Sequence, residues 1–121
     1  MTHNISNKAL ELSDIDLALH GDNIKLALSP ESRKQIIKCR EYLDQKLASS
    51  STPIYGINTG FGSLYNKNIP KGQLEKLQEN LVKSHACGTG PEVPAEIVKL
   101  MLFLKIQSPS YGYSGGQLET V

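Results

Sequence analysis

The spacing of apolar residues predicts a short strand followed by a first helix. Asn23–Leu28 alternates apolar and polar positions, as a strand with one covered face does. Ser29, Pro30 and Glu31 then form a helix-start signal, because serine caps a helix, proline fits its first position and glutamate suits its positive end. This helix is predicted to run to about Ala48. Its apolar positions are Ile36, Cys39, Leu43 and Leu47.

A second helix is predicted from about Lys71 to Ala86. Its apolar stripe consists of Leu74, Leu77 and Leu81. At about 100° per residue, His85 lies only about 20° in azimuth from Leu74, so it is expected to face inward with the leucines. Gly88 is expected to end the helix, because glycine is common just past a helix C-terminus.

A third helix is predicted to start near Pro94, and it needs more cover than this chain supplies. Its sequence EIVKLMLFLKI is apolar on most sides except at Lys99 and Lys105, so most of its girth should be buried. Ser114 and Gln117 then resemble a capping box that opens another helix. We therefore expect residues 1–121 to be a single, C-terminally truncated N-terminal domain of a larger, mainly α protein, with short β segments near the N-terminus.

Composition narrows the classes of function. The chain has 121 residues, a net charge of +1 and 6% aromatic residues, which favours neither nucleic acid nor an acidic membrane surface as a partner. The longest apolar run, Leu100–Leu104, is far below the roughly 20 residues of a membrane span. No signal-peptide pattern opens the chain, and two cysteines are too few for a disulfide framework. These features predict a cytoplasmic location.

The candidate chemistry centres on the segment PIYGINTGFGSL, Pro53–Leu64. It fails as a dinucleotide loop because Tyr65 stands where the third glycine should be, and it lacks the lysine of a Walker loop. No metal site is predicted, since His85 and Cys87 offer too few ligands. Gly112–Gly116 matches the nucleophile-elbow string but follows a predicted helix instead of a strand. By itself the segment is either a tight turn or a mobile loop that carries a reactive tyrosine.

Three motifs resemble the histidine ammonia-lyase family, a branch of the aromatic amino-acid lyases. They are YGINTGFG at Tyr55–Gly62, LQENLVKSHACGTG at Leu77–Gly90 and LKIQSPSYGYSG at Leu104–Gly115, in the family's order and separation. The resemblance implies a multihelical, aspartase/fumarase-like homotetramer that converts L-histidine to trans-urocanate and ammonia. It also implies an electrophilic methylidene-imidazolone made from an internal Ala-Ser-Gly. This chain contains no Ala-Ser-Gly, so the group is expected downstream and the chain alone is expected to be inactive.

The resemblance also implies roles for residues of the glycine loop. Tyr55 corresponds to the catalytic base that removes the β-proton of the substrate. Gly62 corresponds to a position where the backbone approaches the substrate closely. Gly56 and Gly60 are interpreted as hinges of a lid that excludes water.

The Ser84–His85 pair corresponds to the part of the family site that contacts the substrate ring. The pair is typical of the histidine-using branch, but some tyrosine-using relatives keep it. A tyrosine ammonia-lyase or an aminomutase on the same scaffold is therefore an alternative. A further alternative is a truncated, non-catalytic interaction module that covers its apolar third helix with a partner. Lys83, Pro109 and Gly116 depart from the usual family residues.

Overall fold

The computed structural model describes residues 1–121 and confirms the mainly helical class. No helix in it combines the length and apolar character needed to cross a membrane. Three short 3-10 turns accompany the regular elements, at Gly62–Leu64, Lys71–Gln73 and Leu118–Thr120. The regular elements are β1 (Thr2–Ile5), α1 (Leu12–His20), β2 (Lys25–Leu28), α2 (Pro30–Ser49), α3 (Leu74–His85) and α4 (Ala95–Ser110).

The chain divides into two compact units. The first combines Met1–Ser49 with Glu92–Val121 and holds both strands, α1, α2 and α4. The second is Ser50–Pro91 and holds the glycine loop and α3. The candidate site residues of the glycine loop and of the Ser–His pair therefore all belong to the second unit.

The first unit begins with a parallel pair of strands joined by a helix. β1 pairs with β2 in a register that runs from Thr2 opposite Lys25 to Ile5 opposite Leu28. The predicted strand was therefore correct, whereas β1 and α1 were not predicted. A local signal for α1 does exist, because the Asp14 carboxylate accepts the Glu11 backbone N–H at 3.0 Å, as in a capping box.

Helix α2 begins as its sequence predicts. The Ser29 hydroxyl accepts the backbone N–H of Ser32 at 3.1 Å, which satisfies one of the free donors at the helix start. The helix ends at Ser49, one residue beyond the expected end. Ile36 is 2% exposed and forms the small apolar core of this unit together with Ile5 and Phe103.

Helix α4 is anchored on one side only. Gln107 and Ser110 are buried, and both donate a side-chain hydrogen bond to the Ser6 carbonyl, at 2.8 and 3.1 Å. Pro109 lies in the last turn, where its missing N–H withdraws one helix hydrogen bond, and the helix ends one residue later. On the opposite side apolar residues are exposed, as the pattern implied: Ile97, Val98, Met101, Leu102 and Leu104.

The capping box expected at Ser114 and Gln117 was wrong. The Ser114 hydroxyl accepts the backbone N–H of Gly116 at 3.3 Å, and the following element is the 3-10 turn Leu118–Thr120. Gly115 has a φ of +67°, which a first helical residue cannot have. The left-handed glycine therefore prevents Ser114 from capping a helix.

Gly112 lies where α2 and the loop after α4 meet. Its φ is +74°, and a Cβ there would lie 2.6 Å from the Gln35 Cβ and 2.9 Å from the Gln35 carbonyl carbon. We expect Gly112→Ala to lower the free energy of unfolding by about 2–4 kcal/mol, from overpacking and a strained φ. Urea unfolding followed by circular dichroism measures this. Gly72→Ala is the control, because nothing lies within 4 Å of that position. An equal effect of both changes would contradict the packing argument.

Candidate active site

The glycine loop is held by backbone hydrogen bonds on both sides of a short bridge. Ile54–Asn58 forms a turn in which the N–H groups of Ile57 and Asn58 donate to the Ile54 carbonyl, at 3.0 and 3.2 Å. Thr59 then pairs with Asn68 in an antiparallel bridge. The Gly60 N–H donates to the Lys67 carbonyl at 3.0 Å, which closes a second loop. The segment is therefore a pair of turns that share a common base.

Tyr55 stands on the first of these turns and reaches across to the second. Its phenol oxygen accepts the backbone N–H of Gly62 at 3.3 Å, near the upper limit of a hydrogen bond. Its ring contacts Phe61 edge-to-face, with centroids 6.2 Å apart. The side chain is 64% exposed, so a substrate could reach the oxygen. A backbone donor is therefore aimed at the phenol oxygen.

Different structural features explain why each of these three loop positions is a glycine. Gly56 and Gly62 have φ values of +72° and +55°, in the left-handed region that side chains disfavour. Gly60 is buried, and a Cβ there would lie 2.6 Å from the Cβ of Leu64. Close packing thus explains the glycine at position 60, and a hinge motion is not needed to explain it. The hinge role of Gly56 and Gly60 stays a prediction.

Ser84 and His85 form a hydrogen-bonded pair at the end of α3. The Ser84 hydroxyl donates to the Leu81 carbonyl at 2.9 Å, and the His85 Nδ1 lies 2.9 Å from the same carbonyl and 3.0 Å from the Ser84 oxygen. Because a carbonyl can only accept, Nδ1 must carry the hydrogen in that contact. In the neutral ring Nε2 is then an acceptor, available to a donor on a substrate.

The leucine stripe of α3 was placed correctly, but His85, which was expected to face inward with it, is exposed. Leu74, Leu77 and Leu81 are half-buried, whereas His85 is exposed. Helical periodicity sets the direction of a side chain, but burial depends on what lies opposite it. Nothing in the second unit covers the last turn of α3, so the ring remains accessible.

The end of α3 also differs from the prediction. The helix ends at His85, before Gly88, and Ala86 has φ −78° and ψ +63°. The Cys87 N–H donates to the His85 carbonyl at 2.8 Å, which makes an inverse γ-turn around Ala86. This turn stops the helix without a left-handed glycine.

Two polar residues, Gln78 and Asn58, connect these features. The Gln78 side-chain N–H donates to the Gly56 carbonyl at 3.4 Å, a weak contact that links α3 to the turn carrying Tyr55. Asn58 is 8% exposed and binds the backbone of that turn. Tyr55 and Gly62 are thus joined to each other, as are Ser84 and His85, but no hydrogen bond joins the two pairs directly. No sequence signal identified Gln78.

No group of three or more His, Cys, Asp and Glu side chains that could hold a metal is present. Cys39 and Cys87 are free thiols, half-buried and exposed respectively.

The charged face of α3 centres on Glu79. Hydrogen bonds from Lys76, at 2.8 Å, and from Lys83 lower the pKa of the Glu79 carboxyl below its usual 4.5. A carboxylate whose pKa is lowered in the folded state stabilises that state above the unfolded pKa, and this contribution disappears as the pH falls through the folded value. The effect is small because the carboxylate is solvent-exposed.

We expect the helicity of α3 to fall as the pH decreases from 7 to below the lowered pKa of Glu79. Glu79→Gln should remove this part of the pH dependence, because glutamine carries no charge to lose. Glu75→Gln on the same helix is the control, since Glu75 has no lysine partner at hydrogen-bond distance. Backbone ¹³Cα shifts of α3 residues measure the change. An unaltered acid response in Glu79→Gln would contradict the assignment.

The chain is similar in sequence and fold to known proteins. A family model described as aromatic amino acid lyase matches residues 10–121. The histidine ammonia-lyase of Deinococcus radiodurans is 44% identical over 107 residues, which cover 88% of this chain and 20% of that protein. The crystal structure of histidine ammonia-lyase from Trypanosoma cruzi matches 99% of this chain and 23% of that chain, with a TM-score of 0.83 and 31% identity. Ergothionase from Treponema denticola, an ergothioneine-degrading enzyme, has a TM-score of 0.90 and 26% identity, over 99% of this chain and 24% of that chain.

The mainly helical fold is therefore shared with a histidine ammonia-lyase and with an ergothioneine-degrading enzyme. The family model covers most of the chain, and a relative well above 30% identity does so as well. The chain belongs to the aromatic amino acid lyase family. It spans about a fifth of the length of the curated relatives it matches.

Proposed function

We propose that this chain supplies the base and one substrate contact of a histidine ammonia-lyase, which eliminates ammonia from L-histidine to give trans-urocanate. The observation that carries the proposal is the Tyr55 phenol oxygen facing the Gly62 N–H on an accessible turn. The relatives at 39–53% identity that are named histidine ammonia-lyases support the choice of reaction.

In this proposal Tyr55 removes the β-proton of the substrate. The proton passes to the phenolate oxygen, and the Gly62 N–H stabilises that oxygen while it is charged. Close approach of the substrate to Gly62 fits a position without a side chain. Gly56 and Gly60 are proposed to let the loop shield the reacting carbon from water.

His85 is proposed to bind the imidazole ring of the substrate. With its Nδ1 hydrogen directed at the Leu81 carbonyl, the His85 Nε2 can accept the ring N–H of a bound histidine. Ser84 supports this tautomer through its contact with Nδ1 at 3.0 Å. A phenol O–H could donate to the same nitrogen, so a tyrosine lyase or aminomutase is the second candidate.

The electrophile is proposed to be a methylidene-imidazolone, which when present activates the amino group to leave. The residues of this chain do not fit its formation, because no Ala-Ser-Gly occurs among them. We also propose, on the family resemblance alone, a cytoplasmic homotetramer.

The test is a product assay with the protein expressed from its complete gene, incubated separately with L-histidine and L-tyrosine. Urocanate formation, seen by its ultraviolet absorbance, supports the proposal. Coumarate or β-tyrosine alone would replace it with the second candidate. Turnover of neither substrate would favour the non-catalytic alternative, in which the exposed apolar face of α4 binds a partner. Light scattering of the same sample tests the tetramer.

A further inference from the structure

The Asn58 side chain makes two hydrogen bonds at the start of the glycine loop. It is 8% exposed. Its side-chain oxygen accepts the Ile54 N–H at 2.6 Å, and its side-chain N–H donates to the Thr52 carbonyl at 3.1 Å. The two backbone partners fix the orientation of the side-chain amide, because an N–H group needs an acceptor and a carbonyl oxygen needs a donor. The residues immediately before Tyr55 are therefore held by one buried amide.

The backbone of Asn58 joins this turn to the second loop. Its N–H donates to the Ile54 carbonyl at 3.2 Å, and its carbonyl accepts the Ile69 N–H at 2.9 Å. Asn58 therefore lies at the base shared by the turn that carries Tyr55 and the loop that carries Gly62. Any shift of this base changes the separation of the Tyr55 oxygen from the Gly62 nitrogen.

Thr59 is a buried residue that also stabilises the shared base of the two turns. It is 1% exposed, and its hydroxyl donates to the Gly60 carbonyl at 3.0 Å. The Gly56 N–H donates to the same hydroxyl at 3.4 Å. The turn thus has a second tie, but the bonds of Thr59 reach residues after Tyr55, whereas those of the Asn58 side chain reach residues before it.

We propose that Asn58 is a positioning residue for Tyr55, one that holds the phenol oxygen at the Gly62 N–H without touching the substrate. This inference rests on the proposed function of Tyr55 as the base. The chemistry of the position requires a short side chain with one donor and one acceptor. Aspartate keeps the acceptor for Ile54 but loses the donor to Thr52, and alanine loses both.

The experiment uses the 121-residue chain and nuclear magnetic resonance, because the position of the Tyr55 oxygen can be followed without turnover. The probes are the amide shift and hydrogen exchange of Gly62 and the ¹³Cζ shift of Tyr55. Tyr55→Phe defines the signal of the broken bond. Asn58→Ala should shift the Gly62 amide toward that signal and speed its exchange about tenfold, and Asn58→Asp should give a smaller change.

Asn66→Asp is the matched control, since Asn66 is exposed in the same loop and undergoes the same change of charge. It should leave the Gly62 and Tyr55 signals unchanged. If Asn58→Ala unfolds the loop, Asn58→Asp provides the comparison.

A Gly62 amide that responds to Tyr55→Phe but not to either Asn58 variant would overturn the proposal. So would equal responses in Asn58→Asp and Asn66→Asp. These outcomes are distinct from a failure of the proposed function, because the loop geometry is measured without any substrate. A chain that makes urocanate but shows no effect of Asn58 rejects only the positioning role. If the Asn58 variants change the Gly62 signal but the protein has no lyase activity, Asn58 still positions Tyr55. In that case the proposed function of Tyr55 as the base is rejected.

Discussion

Tyr55→Phe is expected to reduce kcat for L-histidine by about 100- to 10,000-fold, the range that a positioned base contributes. The change removes a single oxygen, which in the structure contacts the Gly62 N–H. The ring and its contact with Phe61 are retained, so the loop should keep its shape. Steady-state kinetics of the complete gene product, with urocanate as the readout, measure the loss.

Tyr65→Phe is the control for this change. Tyr65 belongs to the same loop and is 63% exposed, compared with 64% for Tyr55, but its side chain makes no hydrogen bond. It should retain near-normal turnover. A folded Tyr55→Phe enzyme with near-normal turnover would falsify the assignment of Tyr55 as the base.

His85→Phe is expected to lower kcat/KM for L-histidine by roughly 10- to 100-fold, mainly through a higher KM. The physical reason is the loss of the Nε2 acceptor, which leaves a ring N–H of the substrate without a partner. Since His85 is exposed and lies at the helix end, the free energy of unfolding should change by less than about 0.5 kcal/mol. The comparison of kinetics with thermal unfolding separates the two effects.

His20→Phe provides the matched control for His85→Phe. His20 is also an exposed histidine in the last turn of a helix, where it contacts Asp16 at 2.9 Å, but it belongs to the first unit. It should leave KM unchanged. Ser84→Ala should raise KM by less than His85→Phe does, because the Leu81 carbonyl still orients the ring. Equal losses of stability and substrate affinity in His85→Phe would favour a structural role.

The helices were predicted well where a local signal coincided with a periodic pattern. Ser29 and Pro30 start α2 through a hydrogen bond between neighbours in sequence, so the signal is complete within four residues. Pro94 and the apolar run after it also form a local signal, which predicts the start of α4. The failures have different causes. At Ser114, the left-handed Gly115 redirects the bonding, and only the folded backbone shows that conformation.

The sequence by itself determined the mainly helical class, because this depends on composition, period and spacing. Its motifs also determined the family resemblance, and that resemblance implied which residues act. The tertiary structure decided how those residues meet. The Tyr55 oxygen faces the Gly62 N–H across seven residues, and the Asn58 side chain binds the backbone of Ile54 and Thr52 just before Tyr55. The exposure of His85 likewise depends on what packs against α3. Such contacts follow from backbone angles and the course of the chain in space, which hydrophobic periodicity does not encode.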